Sequence, residues 1–150
     1  MYRHILIPTD GSELAERAVT HGFSLAKFVG AKVTVVIAEE QVVSWSGAAG
    51  AFLRYTEHIK KRATSVLDRV ANAAKQAGVA CDTIQLQDVQ PYEGIIATLT
   101  RGCDLIVMAS HGCSGLSAIV LGSVTNKVLT YSKVPVLGCP VRIEQKFSAP

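Results

Sequence analysis

The sequence predicts an α/β protein built on an open sheet of five parallel strands, with helices on both faces. Short apolar runs rich in β-branched residues alternate along the chain with segments of helical periodicity. The run at residues 105–108, Leu-Ile-Val-Met, is apolar throughout, as in a strand buried on both faces. The segment at residues 52–77 has apolar residues in steps of three and four, which is typical of an amphipathic helix.

The first part of the chain predicts strand, helix and strand. Residues 4–8 form the first strand and residues 32–38 the second, which is rich in β-branched residues. Between them, capping and acidic residues favour a helix that begins at about Ser12, and Gly30 ends it. The residues expected on the inner face of this helix are Leu14, Ala18, Leu25, Phe28 and Val29.

The middle of the chain predicts a long helix, a weaker strand and a short helix. The connection at residues 39–50 is rich in small residues and is expected to be mobile, with Trp45 as a hydrophobic anchor. The long helix ends at Gly78, residues 83–86 form the third strand, and Pro91 begins the short helix. The periodic apolar residues of the long helix are Phe52, Tyr55, Ile59, Ala63, Val66, Leu67, Val70, Ala74 and Ala77.

The last part predicts the fourth strand at residues 105–108, a helix at residues 123–131, and a final strand from Val134 to Val141. Right-handed crossovers join the strands. If the final strand lies at the sheet edge, its unpaired backbone groups favour a homodimer across a two-fold axis.

Composition limits the classes of function. The 150 residues are expected to form one domain, and the net charge of +3 is spread along the chain, which argues against nucleic-acid binding. The basic cluster at residues 60–62 is interpreted as a solvated helix face. Four cysteines without a C-x-x-C pair favour a reducing cytoplasm over a zinc site, and no signal peptide or membrane span is expected.

The most informative segment is the glycine-rich stretch at residues 109–125, between the fourth strand and the following helix. Such a loop, which here contains Gly112 and Gly115, presents backbone N–H groups at the positive end of a helix, an arrangement that suits a phosphate. Ligands of open α/β sheets bind where the strand order reverses, and if the first and fourth strands are neighbours there, the turn at residues 8–10 faces this loop. Asp10 is either a turn residue or an acceptor for a ribose or adenine group, and both roles are compatible.

Familiar nucleotide and catalytic motifs are missing from the sequence. It contains neither G-x-x-x-x-G-K-[ST] nor G-x-G-x-x-G, and neither G-x-S-x-G nor H-E-x-x-H. No catalytic residue is therefore assigned. The sequence argues against efficient catalysis and leaves slow ATP hydrolysis with Mg²⁺ as an alternative.

Several segments together resemble the universal stress protein family. Asp104-Leu-Ile-Val-Met-Ala-Ser-His-Gly, nine further residues and Gly122-Ser123-Val124-Thr125 are similar to the family's motif of G-x-x-G, nine residues and G-[ST]. Ile5-Leu-Ile-Pro-Thr-Asp-Gly-Ser resembles its first strand and turn, and Val134-Pro-Val-Leu its last strand. The resemblance covers nearly the whole chain.

The resemblance implies a Rossmann-like sheet of order 3-2-1-4-5, similar to the adenine nucleotide alpha hydrolase folds, in a cytoplasmic, usually dimeric stress-response protein. One branch of the family binds ATP; another binds no nucleotide and acts as an interaction module. The residues that match the nucleotide site are Pro8, Thr9 and Asp10 beside adenosine, Ala38 at the adenine, Ala109, His111 and Gly112 at the start of the phosphate loop, and Gly122, Ser123, Val124 and Thr125 at the phosphate oxygens.

Two positions depart from that pattern. Ala109 replaces the first glycine of the motif, which matters if the backbone there needs a positive φ. Cys113 replaces a frequent arginine or lysine, so a cation is missing from the loop. His111 is interpreted as a residue that caps the loop, without a role as acid or base.

Overall fold

The computed structural model describes residues 1–40, 47–111 and 121–140. All described strands belong to one five-stranded parallel sheet. The elements in chain order are β1 (His4–Pro8), α1 (Glu13–Val29), β2 (Lys32–Ala38), α2 (Ala49–Ala77), β3 (Cys81–Leu86), α3 (Pro91–Thr98) with a 3₁₀ turn (Leu99–Arg101), β4 (Leu105–Ala109), α4 (Ser123–Tyr131) and β5 (Val136–Cys139).

The strand order β3-β2-β1-β4-β5 confirms the predicted sheet. The helices divide between the two faces. One hydrophobic cluster joins the sheet to α1 and α2, with Phe23 and Val66 among its members. A second cluster joins the opposite face to α3 and α4, through Ile95 and Val128. The strand order reverses between β1 and β4, so these two strands define the switch point of the sheet.

At the switch point, the ladder between β1 and β4 is shorter than the ladder between β1 and β2 and the ladder between β4 and β5. The β1–β2 ladder extends to Pro8 paired with Val36, whereas the β1–β4 ladder is described only at Ile5–Leu105 and Leu6–Ile106. β4 nevertheless continues to Ala109 in its ladder with β5. The carboxyl ends of β1 and β4 therefore lie side by side at the switch point, where open α/β sheets have their ligand-binding crevice.

The first helix is confirmed, with one error on its inner face. Ser12 caps it, accepting a hydrogen bond from the backbone N–H of Ala15 at 3.2 Å, and Gly30 ends it in the left-handed conformation. Phe28, predicted to face inward, is 88% exposed. It lies two positions after the buried Ala26, about 200° around the helix, and so points away from the sheet.

The long helix ends at Gly78 as predicted but begins earlier than expected. Ala49 and Gly50, assigned from the sequence to the connection, are helical because the helical hydrogen bonding already starts from Ala48. Residues 41–46, including Trp45, lie outside the described residues. The buried residues of α2 begin only at Ala63, and the periodic Tyr55 is 40% exposed. Helical periodicity in the first half of α2 therefore did not mean burial.

Three strands differ from the prediction in their bounds. β4 ends at Ala109 rather than at residue 108. β3 begins at Cys81 rather than at residue 83, because its ladder with β2 starts there. β5 covers only Val136–Cys139, and Val134 belongs to a turn in which its N–H and C=O both bond the Ser132 hydroxyl. Val141 lies outside the described residues.

Candidate functional site

Residues 9–12, hereafter the Asp10 turn, follow β1 at the switch point. The N–H of Thr9 donates to the Val36 carbonyl at 2.9 Å, which is the last hydrogen bond of the Pro8–Val36 pair between β1 and β2. Within the turn, the Gly11 N–H donates to Thr9 Oγ1 at 3.2 Å and the Ser12 N–H to Asp10 Oδ1 at 2.9 Å. The Asp10 carboxylate is thus fixed at the carboxyl edge of the sheet, and its bond to Ser12 confirms the turn role expected from the sequence.

Gly11 is required by the shape of this turn. Its φ of +77° lies in the left-handed region, and a Cβ at this position would come within 2.8 Å of Val66 Cγ2. Val66 is a buried core residue of α2. The turn is therefore pressed against α2 at a point where there is no space for a side chain.

The end of β4 is held to β5 by one hydrogen bond and to the start of α4 by two. The Ser110 N–H donates to the Cys139 carbonyl, and the Gly122 N–H to the Ser110 carbonyl, each at 2.9 Å. The Thr125 hydroxyl donates to the Ala109 carbonyl at 2.9 Å. The first turn of α4 therefore lies directly against the carboxyl end of β4, at the edge of the sheet that also carries the Asp10 turn.

The amino end of α4 is arranged differently from that of α1. Ser12 caps α1, and Glu13 and Glu16 place negative charge in its first turn. At α4, Gly122 provides no side-chain cap and the first turn contains no acidic residue. Because the amino end of a helix carries partial positive charge, α4 has a charge here that an anion could neutralise.

Ala109 is compatible with the backbone of this site. It is the last residue of β4 and has a negative φ, since Asp88 is the one non-glycine residue in the described ranges with a positive φ. A glycine is therefore not needed there for conformational reasons.

Ala38 is half-buried at the end of β2, where its Cβ would be 3.1 Å from a Cβ on Gly94.

Thr125, which matches the phosphate site of the family, uses its hydroxyl for a contact within the protein. This side chain is 3% exposed and its hydroxyl hydrogen is directed at the Ala109 carbonyl, so it braces α4 against β4. Ser123 is exposed, whereas Val124 is half-buried and packs against the core, so only its backbone is at the helix terminus.

His111 is buried beside the loop, with its Nδ1 2.9 Å from the Ser110 hydroxyl. This contact to a neighbouring side chain agrees with a structural role. Gly112, Cys113 and Gly115 lie outside the described residues, so their placement in the site stays a prediction.

Arg62 is a site neighbour that sequence reasoning missed. Its Nη2 donates to the Asp10 carbonyl at 3.2 Å, while the basic cluster at residues 60–62 is exposed as predicted. No local sequence signal marks it, because the contact joins residues 52 positions apart. Arg62 also lines a cavity of about 400 Å³ between the first half of α2 and the ends of β2 and β3, together with Glu39, Phe52, Lys60 and Asp88.

Residues 1–40, 47–111 and 121–140 contain no cluster of three or more His, Cys, Asp or Glu side chains that could hold a metal ion. They also contain no helix that is long and apolar enough to span a membrane.

Comparison with known proteins decides the family. The model of the universal stress protein family matches residues 1–140. The chain belongs to this family. Universal stress protein MJ0531 of Methanocaldococcus jannaschii is 32% identical over 138 residues, which cover 91% of this chain and 81% of that protein. The solved structure of MJ0577 superposes with a TM-score of 0.81 at 28% identity, covering 95% of this chain and 99% of the other.

Two further universal stress proteins of this fold were solved with nucleotides. One, in complex with cAMP, has a TM-score of 0.69 at 23% identity and covers 93% of this chain and 97% of its own. The other, from Archaeoglobus fulgidus in complex with dAMP, has a TM-score of 0.67 at 18% identity and covers 91% and 97%. Structural neighbours of this universal stress protein thus include nucleotide complexes.

Proposed function

We propose that this universal stress protein binds an adenine nucleotide, ATP in the first instance and with or without Mg²⁺, between the Asp10 turn and the start of α4. The observation that carries the proposal is the amino end of α4 beside the switch point, where no side chain of the described residues caps the helix and its first turn has no acidic residue to offset the dipole. The phosphates would be bound by backbone N–H groups from Gly122 to Thr125, together with the predicted loop glycines Gly112 and Gly115. The cAMP and dAMP complexes of structural neighbours support this ligand class.

The nucleoside is assigned to the β1 and β2 side of the crevice. Asp10 would accept a hydrogen bond from a ribose hydroxyl, since one of its oxygens already bonds the Ser12 N–H and the carboxylate is thereby oriented. Pro8, Thr9 and Ala38 would line the adenine, and Ala109 and His111 the start of the phosphate site. Binding would alter a conformation or a partner surface and so serve regulation in the cytoplasm under stress.

A substitution at Gly122 tests the position of the phosphates. Gly122 has φ −59° and ψ 149°, which any L-residue adopts, so valine adds bulk at the helix terminus without backbone strain. We expect Gly122→Val to abolish ATP binding in titration calorimetry while its circular dichroism and urea midpoint stay close to those of the parent. ATP binding equal to that of the parent would show that the phosphates bind elsewhere.

We also propose that the protein forms a homodimer through the β5 edge. β5 is a terminal strand of the sheet, and Leu137 on it is 39% exposed. On α4, Leu129 is 47% exposed. Lys127 and Tyr131 contact Tyr92 of α3, with the Lys127 Nζ 4.9 Å from the Tyr92 ring centre. Leu129 is two positions from each, about 200° around the helix, and so faces away from α3 towards the open edge.

The mass in solution tests this dimer. We expect light scattering at micromolar concentration to give twice the monomer mass for the parent and the monomer mass for Leu137→Lys. Leu53→Lys is the matched control, because Leu53 is 63% exposed on α2, away from the β5 edge. A monomeric parent would contradict the dimer, and a dimeric Leu137→Lys would place the interface on another surface.

A further inference from the structure

Two features of α2 converge on the Asp10 turn. Arg62 and Val66 are four positions apart and so lie on the same face of the helix. Val66 packs against Gly11 and leaves no space for a side chain there, while Arg62 Nη2 donates to the Asp10 carbonyl at 3.2 Å. The same Nη2 is 3.5 Å from the position of a Cβ on Gly11. Val66 thus shapes the turn by packing, and Arg62 fixes the Asp10 carbonyl by a charged hydrogen bond.

Arg62 also marks a boundary in α2. The buried residues of this helix are Ala63 and others further along, and residues 49–61 include none. Arg62 is therefore the last residue before α2 packs onto the sheet, where its long side chain can reach across to β1. Arg69, two turns later, makes a comparable reach to α1, with its Nη1 3.2 Å from Glu16 Oε1. That contact lies in the first turn of α1, next to the Asp10 turn, and does not involve the Asp10 carbonyl.

We propose that Arg62 is a positioning residue of the nucleotide site, a proposal that rests on the function given above. It holds the Asp10 carbonyl and thereby fixes the turn in which the carboxylate of Asp10 is oriented towards the nucleoside. Asp10 contacts the nucleoside, and Arg62 acts through Asp10. Its effect is therefore the same for a nucleoside with or without phosphates.

The first test compares two ligands on matched variants. Adenosine and ATP are titrated into the parent, Arg62→Gln, Arg62→Lys and Arg69→Gln. Arg62→Gln is expected to weaken both ligands by the same factor, about five-fold for the loss of one partly exposed charged hydrogen bond. Arg62→Lys, which keeps the charge and a donor, recovers part of the loss, and Arg69→Gln binds both ligands as the parent does.

Two outcomes of these titrations overturn the proposal. Parent-like affinities in Arg62→Gln would show that the contact does not contribute to the site. A loss confined to ATP, with adenosine unchanged, would show that Arg62 binds phosphate directly and does not position Asp10.

The second test needs no ligand and separates this proposal from the proposed function. Amide hydrogen exchange of Gly11 and Ser12 is measured in the ligand-free parent and variants. We expect faster exchange at both amides in Arg62→Gln and none of this change in Arg69→Gln, since the bonds of the turn loosen when its carbonyl is released. Unchanged exchange in Arg62→Gln refutes the positioning role. A parent that binds neither ligand refutes the proposed function, while the exchange result still decides whether Arg62 holds the turn.

Discussion

Gly11→Ala is the substitution that most directly tests the geometry of the Asp10 turn. Alanine at this position has two separate costs. The left-handed φ of +77° costs an L-residue about 1–2 kcal/mol. The new Cβ, 2.8 Å from Val66 Cγ2, must also displace a side chain packed in the core, which adds about 1–3 kcal/mol. We therefore expect the free energy of unfolding to fall by about 2–5 kcal/mol in total.

Gly30→Ala separates the two costs. Gly30 ends α1, the helix that follows the Asp10 turn, with a φ of +72°, but a Cβ there would meet nothing within 4 Å. This variant has the conformational cost alone and should lose about 1–2 kcal/mol. Because Gly30 is at the opposite end of α1 from the Asp10 turn, its replacement should leave nucleotide affinity unchanged, whereas Gly11→Ala should lower it.

Urea denaturation followed by circular dichroism measures these differences, provided that the m-values agree between variants. The double variant Gly11→Ala/Val66→Ala should lose less than the sum of the two single losses, since removing the Val66 methyl groups relieves the clash. Equal destabilisation by Gly11→Ala and Gly30→Ala, or strict additivity in the double variant, would refute the contact between the turn and α2.

Two further substitutions test other parts of the fold. Thr125→Val leaves the Ala109 carbonyl without its bond from a buried hydroxyl and should lower the free energy of unfolding by about 1–3 kcal/mol, whereas Thr130→Val, on the exposed side of the same helix, should have almost no effect in urea denaturation. Burial, assisted by Lys32, lowers the pKa of His4 below 6.5, and Asp104 and Asp82 only partly oppose this. The unfolded chain therefore binds the proton more readily, so stability should fall as the pH drops below about 6.5, and His4→Gln should remove this part of the pH dependence. A parent whose urea midpoint falls no more than that of His4→Gln between pH 7.5 and 5 would contradict the assignment.

Much of the fold was predictable because several local signals agreed. Left-handed glycines at residues 30 and 78 end the two long helices, and Pro91 starts α3 as expected. The apolar run before Ala109 is a buried strand. The sheet order followed from the family resemblance and is confirmed by the strand pairing.

The differences from the prediction arise from the packing of the elements in three dimensions, which the sequence of a single segment does not contain. Phe28 is apolar but falls on the outer side of α1, and the apolar spacing of α2 continues through residues 49–61, which the sheet does not cover. The bond of the Thr125 hydroxyl has no local sequence signal, because its partner, the Ala109 carbonyl, is 16 positions away on β4. Arg62 is exposed as predicted, but its contact with the Asp10 carbonyl has no local signal, since the partner is on another element.

Identifying the nucleotide that the native protein carries tests the proposed binding of an adenine nucleotide. The protein is purified without added nucleotide and denatured, the released small molecules are identified by mass spectrometry, and ATP with Mg²⁺ is titrated into the ligand-free, refolded chain by calorimetry. We predict that an adenine nucleotide is released and that ATP rebinds at one site per chain. If the supernatant contains no adenine nucleotide and millimolar ATP gives no binding heat, the proposed nucleotide binding is wrong.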